Sequence, residues 1–311
     1  MIRTLLVITM LVSVPGPGLA HGPRDEASLR GKIPRAFLRL PEGSYGILVE
    51  KSTQSLVLYR GSAGGQALPV RVVQANTGER DGDKEVEGDL RTPESIYFFN
   101  RIIQETDLPA EYGIRAYVTD FPNIFDRLSG RNGSNIWLHA TNEPTRVAEG
   151  YNTKGCVVVT NERLLELEQQ ITVGRGVHAT GMVVEQELNL LEPGEAALQR
   201  AELEALVSDW EAAWESRDIE RYMTFYSRSM WSMGRDWEAW KAYKGRLARS
   251  YEFIRVEISD LHIYVHDGEM VATFDQRYES DRFLARSSKR LYFRMEEGAW
   301  RIVRETSQPI R

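Results

Sequence analysis

The stretch Tyr151-Asn152-Thr153-Lys154-Gly155-Cys156-Val157-Val158-Val159-Thr160 holds the only cysteine of this 311-residue chain. Small residues approach it and a β-branched run follows, which predicts a thiol held at one end of a strand. A lone thiol makes no internal disulfide, so its retention points either to use or to deep burial as a small hydrophobe. His139 lies upstream, at the end of another predicted strand, Asn135–His139. One histidine facing one cysteine is the minimum equipment for thiolate chemistry: the imidazole takes the thiol proton and the sulfur attacks a carbonyl. Gly155 keeps the N–H groups of Cys156 and its neighbours accessible, as an oxyanion hole requires. Residue 140 is alanine, so the group orienting His139 is a backbone carbonyl or a remote side chain. Lys154 beside the thiol favours the thiolate and is placed to meet a substrate carboxylate.

Around this pair the pattern is β. Tyr45–Glu50 and Ser55–Arg60 flank a polar turn and read as a hairpin. Leu68–Ala75, Ser95–Phe99, Arg115–Thr119 and Val177–Val184 are further predicted strands, and residues 77–91 form a polar loop. Asn161 is placed to cap a helix over 162–171, whose apolar face is Leu164, Leu165, Leu167 and Ile171. Glu192-Pro193-Gly194 breaks the pattern and reads as a linker over 192–198. Beyond it the order changes. Three helices (Ala196–Glu215, Ile219–Ser227, Asp236–Ser250) precede four strands (Tyr251–His266, Glu269–Tyr278, Lys289–Glu296, Ala299–Glu305), which is an α+β arrangement. The expected division is 1–20 export signal, 21–43 N-terminal arm, 44–191 mainly β domain and 199–311 α+β domain.

Hydrophobic content of 42% and charged content of 27% are ordinary globular values. The net charge of −6 gives nucleic-acid binding no electrostatic support. Arg3, the apolar run Leu5–Val14 and the small residues of Gly18-Leu19-Ala20 together read as a signal peptide cleaved after Ala20. No later apolar run is long enough for a membrane span. No metal-ligand set or cofactor motif is legible. His262 and His266 lie four apart on a predicted strand, where that spacing does not suit zinc, and His178 has no partner in sequence. Asp81-Gly82-Asp83 lacks the calcium-loop pattern.

His139, thirteen intervening residues, then Thr153-Lys154-Gly155-Cys156 resembles the signature of the L,D-transpeptidase (YkuD) catalytic-domain family. The hairpin Ile47–Tyr59 and the stretch Gly88-Asp89-Leu90-Arg91-Thr92-Pro93-Glu94-Ser95-Ile96-Tyr97 are similar to two further family motifs, in the right order. The resemblance covers about residues 44–190. It implies a β-sandwich with few helices and an acyl-enzyme formed at the bond between the diamino acid and D-Ala of peptidoglycan tetrapeptide stems. Water as acceptor makes such an enzyme a carboxypeptidase; an amine makes it a transpeptidase. Carried onto this chain, Cys156 is the nucleophile, His139 the base, the backbone of Gly155 and Cys156 the oxyanion hole, and the Ala140 carbonyl the orienting group. Thr153, Lys154 and Trp137 fall on the substrate side. The chain departs from the family pattern at Lys154, where many members have histidine, at Val158, where many have arginine, and at Ser95, which replaces a glycine. The first two are similar to the branch of cell-shape enzymes that trim stems or detach wall-linked proteins.

The C-terminal half resembles the cone-shaped nuclear-transport-factor-2-like (SnoaL-like) fold, through Trp210–Trp214, Tyr222–Tyr226, Tyr278–Phe283, Lys289–Phe293 and Gly298–Ile302. That resemblance implies a pocket lined by Tyr222, Tyr226, Trp231, His262, Asp275 and Arg282, and a binder of substrate or of a wall-linked or wall-synthesis protein. The expected protein is thus an exported enzyme acting on peptidoglycan stem peptides in the periplasm or cell-wall compartment, without cofactor. A wall-binding scaffold is the non-enzymatic alternative.

Overall fold

The computed structural model describes residues 23–174 and 176–310. The reading of residues 1–20 as an export signal lies outside them. In chain order the elements are β1 (Ile33–Pro34), β2 (Phe37–Arg39), β3 (Tyr45–Glu50), β4 (Ser55–Gly61), β5 (Ala67–Gln74), β6 (Ile96–Gln104), β7 (Arg115–Thr119), α1 (Ile124–Leu128), β8 (Trp137–His139), α2 (Pro144–Glu149), β9 (Val157–Val158), α3 (Asn161–Leu167), β10 (Gly181–Glu185) and β11 (Leu190–Leu191). They are followed by α4 (Pro193–Glu215), α5 (Ile219–Met223), α6 (Trp237–Ser250), β12 (Ile254–His266), β13 (Glu269–Ser280), β14 (Leu284–Glu296) and β15 (Ala299–Pro309).

The first domain is a curled eight-stranded sheet in the order β5-β4-β3-β10-β6-β7-β8-β9. Its pairs are antiparallel except β3–β10 and β8–β9. Alternation along the strands splits their side chains between two cores. Ile47, Val49, Leu56, Leu58, Tyr97, Phe99, Leu138 and Val157 fill the inside of the curl. Leu48, Val57, Tyr59, Ile96, Phe98 and Val183 point the other way and meet Phe37, Tyr264, Val271, Tyr292 and Val303. The central strands are therefore apolar on both faces, which is why Ile47, Leu48, Val49, Val183 and Val184 form near-continuous runs rather than a half-polar pattern.

The second core consists of a five-stranded antiparallel sheet, β15-β14-β13-β12-β2, with α4, α5 and α6 on one face. The other face of this sheet covers the first domain. Two sequence expectations are corrected here. The arm is not a separate segment: β2 joins the second sheet as its edge strand, with Phe37 opposite Tyr264, and β1 pairs with β11 through Ile33 and Leu191. The expected linker over 192–198 is instead the first two turns of α4, because Pro193 occupies the first helical position, where its fixed φ and missing N–H fit. Thr160, not Asn161, caps α3 by accepting the Arg163 N–H, and that helix ends at Leu167. The Asn161 carboxamide instead holds the Ile114 N–H at 3.1 Å.

Candidate active site

Strands β8 and β9 run parallel with Leu138 opposite Val157 and His139 opposite Val158. Leu138 and Val157 point into the core, so Trp137, His139 and, by extension of the same register, Cys156 share the opposite face. Cys156 is then the diagonal neighbour of His139 across this parallel pair. The strand register therefore places on one face the cysteine and histidine that the sequence pairs only by type.

Cys156 is half-buried. Its Sγ lies 3.3 Å from the Asn135 carbonyl oxygen and receives a backbone hydrogen bond from Trp137. Burial pushes the thiol up to about 11, against smaller opposite effects of the Trp137 bond and the positive Arg146 and Lys84. Lys154, expected to promote the thiolate, is exposed to solvent and is not among the charges that act on the sulfur. His139 is buried, and its Nδ1 sits 2.6 Å from the Ala140 carbonyl oxygen. A carbonyl only accepts, so Nδ1 carries the proton and Nε2 presents its lone pair. Burial also lowers this imidazole to about 4. The resting pair is therefore neutral thiol and neutral imidazole, with the tautomer set by Ala140.

The turn that carries the thiol is held from beneath. Gly155 has φ +124°, and a Cβ there would lie 2.7 Å from the Arg91 carbonyl oxygen and 2.8 Å from Ile136 Cδ1. Only glycine fits both the conformation and the space. Thr153, expected on the substrate side, is buried and ties the turn together: its hydroxyl accepts the Gly155 N–H at 3.0 Å and donates to the Cys156 carbonyl at 2.8 Å. This corrects two expectations at once. Thr153 is a support rather than a substrate contact, and the Gly155 N–H is already engaged, so the Cys156 N–H is the amide of that pair left for an oxyanion.

Sequence reasoning missed Tyr112, whose ring packs 4.6 Å from the imidazole and 5.4 Å from the Trp137 indole, centroid to centroid. It stands in a short 3-10 turn that carries no periodic signal. Arg146 on α2 was also missed. Its carbonyl accepts the side-chain amides of Asn76 (2.9 Å) and Asn152 (3.1 Å), which docks α2 beside the cysteine turn.

In the second domain only Tyr222 and Tyr226 of the expected pocket residues point into the cone. Their hydroxyls are 2.5 Å apart, and Tyr226 donates to Glu305 at 2.7 Å. Glu305 also takes the Lys289 ammonium at 2.5 Å, and Lys244 lies 4.0 Å away beneath the Trp214 and Trp240 rings. The cone interior is filled by its own ion pair and aromatic rings. Ile263, Met270, Ala272 and Phe274 face the helices, so strand alternation sends His262 and Asp275 to the opposite face. Trp231 is half exposed, and Arg282 projects from the β13–β14 turn beside Asp281.

Residues 44–180 match the family model of the L,D-transpeptidase catalytic domain, and residues 202–306 match that of the Cds6 C-terminal NTF2-like domain. The structure of Bd1075 from Bdellovibrio bacteriovorus is similar at 30% identity and a TM-score of 0.80, over 90% of this chain and 99% of that one. The helical cell shape determining protein Pgp2 from Campylobacter jejuni shares the fold at 21% identity and a TM-score of 0.67, over 90% and 97% of the two chains. No curated protein sequence matches the chain.

Proposed function

This chain belongs to the L,D-transpeptidase catalytic-domain family, in the form that carries a C-terminal NTF2-like domain, and from that premise we propose that it is a cysteine acyl-transfer enzyme of peptidoglycan stem peptides. The observation that supports this most is the placement of Cys156 on the face of β8 and β9 that carries a histidine whose Nδ1–H is committed to the Ala140 carbonyl. Nε2 takes the thiol proton as sulfur bonds to the carbonyl carbon before D-Ala. The tetrahedral oxyanion meets the Cys156 N–H. The C–N bond then breaks, the proton on Nε2 passes to the departing D-Ala amine, and a thioester remains on Cys156. Water or an amine attacks the thioester, returning the thiol.

Because burial favours the neutral thiol, proton transfer and attack are coupled on substrate arrival rather than preceded by a standing thiolate. Trp137 and Tyr112 form the aromatic wall of the site, and the exposed Lys154 and the Arg146 guanidinium supply positive charge for a stem carboxylate. Valine at 158 and lysine at 154, where many family members carry arginine and histidine, favour water as the acceptor. On this reading the protein works in the cell-wall compartment, trimming tetrapeptide stems and shaping the cell as Pgp2 does.

The test is incubation of the protein, and of a Cys156→Ala control, with disaccharide-tetrapeptide muropeptides, followed by mass measurement. Loss of one D-Ala to water in the wild type alone is the expected result. A dimer formed with loss of D-Ala would assign a transpeptidase. Unchanged muropeptides with both proteins would refute activity on free stems.

A further inference from the structure

We propose that the seam between the two domains holds a divalent-cation site of the zinc class, formed by His178, Asp260 and Asp275 with His262 behind them. The inference is independent of the acyl-transfer reading. One ligand atom from each of His178, Asp260 and Asp275 lies within 4.8 Å of the others. His178 precedes β10 in the first domain, whereas Asp260 and Asp275 lie on β12 and β13 of the second, so the cluster exists only because the domains are packed together.

The local backbone aims these groups. Ser259 pairs with Asp275 but His262 pairs with Thr273, so β12 contains one extra residue there, a β-bulge. Asp260 occupies the bulge at φ +51°. Asp275 is oriented by the Ser288 hydroxyl at 2.7 Å. Neither Asp260 nor Asp275 has a lysine or arginine partner among the described residues. The two carboxylates and the His178 imidazole together offer three donor groups of the kinds that divalent metals take.

A second observation points to a ligand. A cavity of about 320 Å³ opens at this place, lined by His178, Asp260, His262, Tyr45, Gln170 and Thr180 among others. His262 is only 2% exposed, and its Nδ1 lies 2.9 Å from the Asp260 carbonyl oxygen. Nδ1 therefore carries the proton, and Nε2, which has no hydrogen-bond partner among the described residues, presents a lone pair. His262 is not one of the three grouped ligand residues; it borders the cavity beside His178 and Asp260. Arg39, whose charge acts on His262, is committed to Glu204 and to the Leu261 carbonyl.

Mixed imidazole and carboxylate donors suit zinc, cobalt or manganese better than calcium or copper(I). Tetrahedral bonds of about 2.0–2.1 Å put ligand atoms about 3.4 Å apart. The present spread needs a modest inward rotation, which the solvent-exposed His178 and Asp260 side chains are free to make. A bound ion would pin one domain to the other across the seam.

The test uses the full chain as a Cys156→Ala variant, so that the thiol cannot ligate, stripped with chelator and titrated with Zn²⁺ by calorimetry and with Co²⁺ by visible absorption. One equivalent of Zn²⁺, a tetrahedral Co²⁺ spectrum and a rise in melting temperature are expected. His178→Ala and Asp260→Asn, both at exposed positions, should weaken binding about tenfold or more each. Asparagine tolerates the left-handed backbone at 260, so that variant also keeps the fold. Unchanged melting of the metal-free variants serves as the folding control. Absence of stoichiometric uptake, or equal uptake by the His178→Ala/Asp260→Asn double variant, would overturn the proposal.

Discussion

Replacing Thr153 with valine preserves the shape of the side chain and removes only its hydroxyl. That hydroxyl joins the Gly155 N–H at 3.0 Å to the Cys156 carbonyl at 2.8 Å, in a site where Thr153 is 3% exposed. Each lost hydrogen bond costs about 0.5–1.5 kcal/mol net, and the buried Gly155 N–H left without an acceptor adds about 1–3 kcal/mol. The expected loss is about 2–4 kcal/mol of catalytic-domain stability, because these terms overlap. The Thr153 backbone stays tied to Thr77 and Glu79 at 3.1 and 2.9 Å, so the change should loosen the cysteine turn without unfolding the domain. A thiol displaced by about 1 Å loses on the order of 10²-fold in rate. Urea unfolding followed by intrinsic fluorescence gives the first quantity, and D-Ala release from tetrapeptide stems gives the second. The loss should fall on kcat, with KM nearly unchanged, since the hydroxyl faces the turn and not the cleft. Thr153→Ser restores both hydrogen bonds and removes one methyl, so it should recover most of the rate at a cost of about 1 kcal/mol. A valine variant with less than about 0.5 kcal/mol lost, which is the scatter of ordinary surface substitutions, and with its defect in KM alone would refute the supporting role.

Gly155→Ala places a methyl within 2.7 Å of the Arg91 carbonyl at a φ of +124°, so mass spectrometry should find no acyl-enzyme after mixing with substrate. With the thiol near 11, about one molecule in 10⁴ is thiolate at pH 7. Iodoacetamide alkylation of Cys156 should therefore climb about tenfold per pH unit between 7 and 10; a plateau below pH 8 would contradict the neutral resting thiol. His139 must be neutral to accept the proton, and its value of about 4 means that kcat/KM should hold down to about pH 5 and fall near 4. In the second domain, Glu305 is held down to about 2 by Lys289 and Lys244 despite its burial. Its folded value lies below its unfolded one, so its contribution is complete above about pH 4.5 and is lost as the pH falls toward 2. Glu305→Gln strands two buried cations and should cost about 3–5 kcal/mol in denaturant unfolding. Lys244, which burial lowers to about 8, is the weaker partner, and Lys244→Met should be neutral or stabilising by about 1 kcal/mol, since Lys289 still satisfies Glu305.

Local patterning determined a good deal of this protein. Strand Arg115–Thr119 is bounded as its sequence indicates, and the hairpin over Tyr45–Gly61 and helices α4 to α6 follow from alternation, turn residues and caps such as Asp236, which accepts the Ala239 N–H. Two domains, mainly β and then α+β, were legible for the same reason: period and punctuation are local properties. The candidate nucleophile and base were legible because the chain offers one cysteine and a suitably placed histidine. The packing of the two domains was not. Whether an apolar strand residue faces its own core or a neighbouring domain leaves no mark on its side chain, so the second apolar face of β3 and β10, and the use of β2 as an edge strand of the other sheet, appear only in three dimensions. Pro193-Gly194 signals a break equally well as a linker or as a helix start, and only the α4 packing chooses between them. Tyr112 and Arg146 reach the site from short turns without periodicity, and His178 meets Asp260 and Asp275 only across the domain seam. The supporting role of Thr153 was missed for a similar reason. Residue type fixes what a side chain is able to do, but burial and the direction of its hydrogen bonds decide what it does, and both are set by atoms distant in sequence.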